Sequence, residues 1–373
     1  MERKVRERKY YLHICGAKDK HAGSKAVDDC QCILERNGYK PIIIYRENNK
    51  SDFFKKLDRY YRYLKIFFIK RNSTLVIQHP LPMPSFYLKM LSIIKEKHNV
   101  RLVYLIHDLD SLRKIRLDDI ELVQKRDTMM YQNADVIISH NGSMKKYLVE
   151  KCGISGDKII ELGIFDYLLG DMNRDSVSKE EWTENSTSKV VIAGNLAKEK
   201  SGYIYKLIDQ NNESLKFNLY GVSYSGKETN KSCTYKGAFS PEELPMKMEG
   251  DYGLVWDGAE LNCCAGTVGE YLKYNNPHKV SLYIASEMPI IIWEKAALAK
   301  FVKDNNIGIT VSSLYELPEV LSKVTKQEYQ MYKYNLSRLS ADVKNGKYLT
   351  EALSKNISNI TSGKYSNIMF NEE

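Results

Sequence analysis

The sequence lacks any apolar run long enough to cross a bilayer, so membrane contact, if it occurs, is expected to be peripheral. Its seven cysteines (Cys15, Cys30, Cys32, Cys152, Cys233, Cys263 and Cys264) are odd in number and show no paired C-x-x-C spacing. Neither a disulfide framework nor a zinc site is indicated. No G-x-G-x-x-G fingerprint is present, and no D-x-D pair suited to a metal-bound nucleotide stands in a convincing place, so no metal and no cofactor are expected. No repeat of solenoid period occurs. The basic start MERKVRERK is followed by no apolar stretch of the signal-peptide kind, which predicts a cytoplasmic protein, with the inner face of the membrane as the place of any contact.

What is present fits two domains. The chain has 373 residues, of which 43% are hydrophobic and 28% charged, enough for two separate cores. The net charge of +9 is spread in clusters, which a solvated face, an anionic membrane or a phosphorylated substrate explains better than nucleic acid, since no recognition motif accompanies it. The stretch FFKKLDRYYRYLKIFFI (residues 53–69) mixes aromatic and basic residues at helical spacing, as in a helix packed on a sheet or lying on an anionic leaflet. Short apolar runs alternate with helical segments: Tyr11–Cys15, Pro41–Tyr45, Leu75–Gln78, Leu102–Ile106 and Val136–Ser139 read as strands. A polar segment, Asp171–Lys189, then breaks the pattern. Alternation resumes with Val190–Ala193, Phe217–Tyr220, Gly253–Trp256, Ile290–Trp293 and Gly308–Val311. The fold class is therefore α/β: a doubly wound domain at 1–170, a linker at 171–188, and a second such domain at 189–345. A helical segment from about 345 to 373 has the reach to pack back on the first domain.

Ligands of such sheets sit at the carboxyl ends of the strands. Three features occupy those ends in the first half: the loop Gly16–Gly23, His79-Pro80, and His107-Asp108 in LIHDLDSLR. A His-Asp pair there suits a base with its orienter, or a packed imidazole beside a capping Asp. In the second half, Asn275, Asn276, His278 and Lys279 crowd the start of a helix, where free N–H groups favour an anion. A capped helix with a solvated lysine is the plainer reading of the same residues.

The phrases YGLVWDG, GEYLKYNNPHKVSLYIASEMPIIIWEKAALAKFVKDNNIGI and SLYEL, together with LIHDLDSLR and AGNL, resemble the accessory glucosyltransferases called nucleotide-sugar synthetase-like proteins, and more distantly the bacterial β-1,6-galactofuranosyltransferases. The resemblance implies a GT-B architecture, two Rossmann-like domains facing across a cleft. It implies transfer of a hexose, glucose first, from a UDP-sugar to a glycan, glycopeptide or lipid-linked acceptor without a metal. UDP-galactofuranose is the alternative donor, and a nucleotide-sugar-binding protein without turnover the alternative of another class. Self-association is a family-level expectation.

By the same resemblance, Asn276, His278 and Lys279 lie near the diphosphate, with Asn195 and Lys198 facing the nucleotide. Tyr220 and Gly221 fall at the uracil or ribose, and Gly23, Ser24 and Lys25 close over the phosphates. Trp256, Asp257, Glu294 and Lys295 lie on the sugar side, and His107 and Asp108 face the acceptor as catalytic residues. Glu287 and Glu294 stand one residue off the spacing of the glutamate pair in many retaining enzymes, which leaves the stereochemical outcome open.

Overall fold

A computed structural model describes residues 8–15, 22–45, 64–80, 85–113, 120–170, 182–184, 187–209, 215–226 and 232–362. Most of the aromatic-basic stretch, most of the polar linker and the loop 16–21 lie outside these residues, as do the side chains of Gly23 and Ser24.

The first sheet contains β1 (Arg8–Cys15), β2 (Lys40–Tyr45), β3 (Ser73–His79), β4 (Val100–Ile106), β5 (Val136–Ser139) and β6 (Ile159–Glu161). All pairings are parallel, in the order β2-β1-β3-β4-β5-β6. The unbroken apolar runs follow from burial on both faces, because a strand covered by helices on each side has no solvent-facing register. Along β3, Leu75 and Ile77 enter one core while Val76 enters the other. Along β4, Leu102, Tyr104 and Ile106 alternate in the same way with Val103 and Leu105.

The second sheet contains β7 (Ser188–Asn195), β8 (Leu215–Val222), β9 (Cys233–Gly237), β10 (Tyr252–Val255), β11 (Ile290–Trp293) and β12 (Gly308–Val311). Its order is β12-β11-β10-β7-β8-β9, again all parallel. The chain winds outward from β7 to β9 and then restarts on the other side of β7, so the carboxyl ends of β7 and β10 flank a topological switch point. Gly221 permits the tight approach of β8 to β7: at φ +151 its absent Cβ would lie 1.7 Å from the Gly194 carbonyl oxygen.

The last helix, Lys347–Ser362, leaves the second domain and covers the first. Leu349, Ala352 and Leu353 join the core formed by Ile33, Leu34, Val103 and Ile138. Its start is fixed by the buried carboxylate of Asp166, which accepts from Tyr348 N at 3.1 Å and Leu349 N at 2.9 Å. A carboxylate suits that place, since the first N–H groups of a helix have no partner within it.

Candidate active site

The domains meet through a dense set of polar contacts. Asn141 caps the helix Gly142–Cys152, its Oδ1 accepting from Ser143 N and Met144 N. Its Nδ2 then crosses to the second domain, donating to Asn276 Oδ1 at 2.7 Å and to the Tyr274 carbonyl at 3.0 Å. Asn276 answers with Nδ2 on the carbonyls of His140 (2.8 Å) and Gly163 (2.9 Å). Asn276 N also donates to His140 Nδ1 at 2.9 Å, which leaves the proton of that imidazole on Nε2, donated to the Ile106 carbonyl at 3.0 Å. Burial holds the His140 pKa down at about 4, so the ring stays neutral and the pattern stays fixed. Ser281 adds a bond to the Phe165 carbonyl at 2.6 Å.

Asn276 is thus a clasp between domains, its side-chain hydrogen bonds all going to the first domain. His278 also departs from the expected role. Its Nε2 lies 3.3 Å from the Asp166 carbonyl, its ring stacks on Tyr167 at 5.0 Å, and burial lowers its pKa to about 4. Lys25 is similarly committed: its ammonium is buried, paired with Asp29 at 2.6 Å and bonded to the Leu168 carbonyl at 2.7 Å. Gly23 to Lys25 form part of the first turn of the helix Ala22–Arg36 and not a loop. Tyr220 is 1% exposed, its hydroxyl accepting from Glu249 N, so its ring offers no face to a base. Trp256 is fully buried, with Nε1 donating to the Glu260 carbonyl, and belongs to the core.

A different group of residues gathers charge at the cleft. Lys279, 12% exposed, reaches the β7/β10 switch point and donates to Asp257 Oδ1 at 2.9 Å and to the Trp256 carbonyl at 3.1 Å. Lys200, in the short helix Lys198–Ser201 that follows β7, comes to the same place. The backbone holds it there: Gly258 N donates to the Lys200 carbonyl at 2.8 Å. The Asp257 carboxylate raises the Lys200 pKa, but burial and the Lys279 and Arg113 cations outweigh it and leave the pKa lowered. Among the described residues the Lys200 ammonium has no ion-pair partner within 4.0 Å. Lys198 instead is exposed and lies 4.9 Å over the Tyr205 ring.

The first domain contributes His107 and Asp108 at the end of β4, with Arg113 one short helix later. Asp108 Oδ2 accepts from Arg113 Nη1 at 2.9 Å, and both side chains are about a third exposed (31% and 30%). Burial raises the Asp108 pKa, while Arg113 and the Tyr271 phenol of the second domain pull it down. His107 Nε2 lies 2.6 Å from Gln78 Oε1 and its ring stacks on Phe165 at 5.3 Å. Burial and the neighbouring histidines His140, His278 and His79 depress its pKa to about 3, so it is a neutral hydrogen-bonding group. His79 itself is buried against Asp127, with Nε2 2.8 Å from Oδ1.

Asn195 is exposed at the end of β7 and closes a turn onto Ala197 N at 3.0 Å, while Glu294 and Lys295 are exposed at the end of β11, two strands from β7. Among the described residues no group of three or more His, Cys, Asp or Glu is placed to hold a metal ion. The cleft therefore presents three cations from two domains (Arg113, Lys200, Lys279) against two carboxylates (Asp108, Asp257). That arrangement suits a multiply charged anion beside a proton acceptor.

Comparison with known proteins bears on the family and the fold. The model of the glucosyltransferase 3-like N-terminal domain matches residues 9–164, and that of the C-terminal domain matches 190–356. The β-1,6-galactofuranosyltransferase WbbI of Escherichia coli is 35% identical over 292 residues, covering 78% of this chain and 81% of that protein. Glucosyltransferase 3 of Streptococcus gordonii is 31% identical over 130 residues, 35% of this chain and 37% of the relative. Among solved structures, the sucrose-phosphate synthase of Thermosynechococcus elongatus superposes with a TM-score of 0.64 at 11% identity, over 96% of this chain and all (100%) of that one. Anabaena HepE in complex with UDP and glucose gives 0.59 at 10% identity, over 95% and 100%. Both halves matching in order, on two sheets wound as in these GT-B neighbours, the chain belongs to the glucosyltransferase 3-like family of glycosyltransferases.

Proposed function

We propose that this protein transfers a hexosyl group from a UDP-sugar to a saccharide hydroxyl, with the diphosphate seated on Lys200 and Lys279 and the acceptor at Asp108. The observation that carries the reading is Lys200, a half-buried cation without an ion-pair partner among the described residues, at the switch point beside Lys279 and facing Arg113. Bond cleavage at the sugar leaves negative charge on the departing UDP. Cations already in place stabilise that charge without reorganising at the moment of reaction. No metal is part of this reading.

Asp108 is the proton acceptor: its carboxylate is reachable from the cleft and its raised pKa strengthens it as a base. His107, neutral throughout, offers its free Nδ1 to a sugar hydroxyl, since Gln78 Oε1 takes the proton on Nε2. The long match to a protein named for galactofuranosyl transfer favours UDP-galactofuranose as the first donor to try, ahead of UDP-glucose. The test incubates the purified protein with both donors and an N-acetylglucosamine-bearing acceptor and follows product by mass. Transfer from one of them, lost in Asp108→Asn, is expected. No product from either donor, together with no measurable UDP binding, discards the proposal.

A further inference from the structure

Tyr271 ends the helix Gly266–Tyr271 of the second domain, yet its side chain, 4% exposed, is inserted against the loop after β4 of the first. Leu109 N donates to its hydroxyl oxygen at 3.0 Å. Leu109 follows Asp108 directly, so this bond ties the backbone beside Asp108 to the second domain, and the nearby phenol pulls the Asp108 pKa down. Asp108 is thereby placed from both domains, its carboxylate paired with Arg113 of its own and its loop tethered to Tyr271 of the opposite one.

The helix that carries Tyr271 is itself packed on the anion side of the cleft. Gly269 makes this possible: a Cβ there would meet the Cys264 backbone at 2.4 Å and the Asp257 carbonyl oxygen at 3.0 Å. Asp257 in turn holds Lys279. A continuous run of contacts therefore leads from Lys279 through Asp257 and the Gly269 turn to Tyr271 and ends on Leu109, the residue after Asp108.

From this geometry we infer that Tyr271 is a positioning residue: reaching from the second domain, it holds the Leu109 backbone and so fixes the loop that presents Asp108 to the acceptor, so that the proton acceptor is aligned only when the two domains are seated together. The inference rests on the reading of Asp108 as the group that takes the acceptor proton. Tyr271 does not itself touch the reacting atoms. A phenol is suited to this work because its ring is rigid and its oxygen accepts the Leu109 N–H.

Tyr271→Phe tests it, since the ring is kept and only the hydroxyl is lost. In the transfer assay kcat/KM for the acceptor is expected to fall on the order of tenfold, as for loss of one hydrogen bond that positions the base. The UDP dissociation constant, by calorimetry, is expected to stay within about twofold. Removing the phenol that pulls the Asp108 pKa down also moves the acid limb of the pH profile to higher pH, which a merely structural hydroxyl would not do. If Tyr271→Phe matches the parent in rate and pH profile while Asp108→Asn abolishes transfer, the inference is wrong and the reading of Asp108 stands. If UDP affinity falls in step with the rate, Tyr271 serves the donor site and the inference is again wrong. If Asp108→Asn keeps full transfer, the reading of Asp108 falls and the inference with it.

Discussion

Lys200→Met removes one charge from the cleft and keeps most of the side-chain stem. In the free protein the change relieves crowding, because burial and the Lys279 and Arg113 cations outweigh the attraction of Asp257. Folding stability is accordingly expected to hold. With UDP bound, the same lysine contributes a charge-assisted hydrogen bond to a phosphate oxygen, about 1.5–3 kcal/mol net. A bare Coulomb figure for unit charges 4 Å apart at an effective dielectric constant of 20 is ~4 kcal/mol, so the smaller value already allows for desolvation. At 1.4 kcal/mol per decade, the UDP dissociation constant rises roughly 10- to 150-fold. Titration calorimetry with UDP at moderate salt measures this directly. Lys198→Met is the matched control, since that lysine is exposed over Tyr205, and it is expected to change affinity less than about twofold. An unchanged constant in Lys200→Met, with weakening in Lys198→Met, would refute the assignment of the phosphate to the switch point.

Three further outcomes are expected. Asn276→Ala deletes three hydrogen bonds between domains, including Asn141 Nδ2 to Oδ1 at 2.7 Å, and strands two carbonyls. Urea unfolding should show a loss of about 2–4 kcal/mol, with UDP affinity little changed. Gly221→Ala drives a methyl into the Gly194 carbonyl at a strand contact that has no room to relax, so the soluble yield and melting temperature should collapse. Gly153→Ala should cost far less, because its Cβ meets nothing within 4 Å and only the left-handed φ of +67 is strained. Burial raises the Asp166 carboxyl to about 7, against the Leu349 and Tyr348 N–H groups that lower it. Between the unfolded carboxyl's pKa of about 3.9 and that value, the folded protein keeps a proton the unfolded chain has released, so this group's contribution to stability falls as pH rises. Asp166→Asn, which cannot titrate, should therefore cost more at pH 5 than at pH 8 in urea titrations.

Most of the strands are legible because burial on both faces writes a continuous apolar run. The two that are not, β6 and β9, lie at sheet edges, and β9 (CTYKG) is largely exposed, so no such run marks it. The site is legible only as a neighbourhood. Lys279 is where the sequence leads, but Asn276 and His278 beside it turn to the other domain, and no spacing says which wall of a cleft a helix start will face. Lys198 and Lys200 differ by two residues, about 200° around a helical turn, so one looks to solvent when the other looks inward. The polar character of AKEK fixes neither. Tyr271 and His140 escape for a further reason: a buried tyrosine at a helix end and a histidine after a strand read as ordinary core residues until the opposing domain is in view.

The helix Lys347–Ser362 gives the molecule an order of assembly. The carboxylate that starts it and the amide it receives are 182 positions apart, in Asp166 and Tyr348. During synthesis the first domain emerges early yet cannot complete its core, since Leu349, Ala352 and Leu353 are still to be made. The second half, though translated later, takes only Ile164 and Tyr167 of its fully buried core from before the linker and is expected to settle first. A chain truncated after residue 346 should thus protect β7 to β12 from protease while leaving Ile33 and Leu34 open to attack.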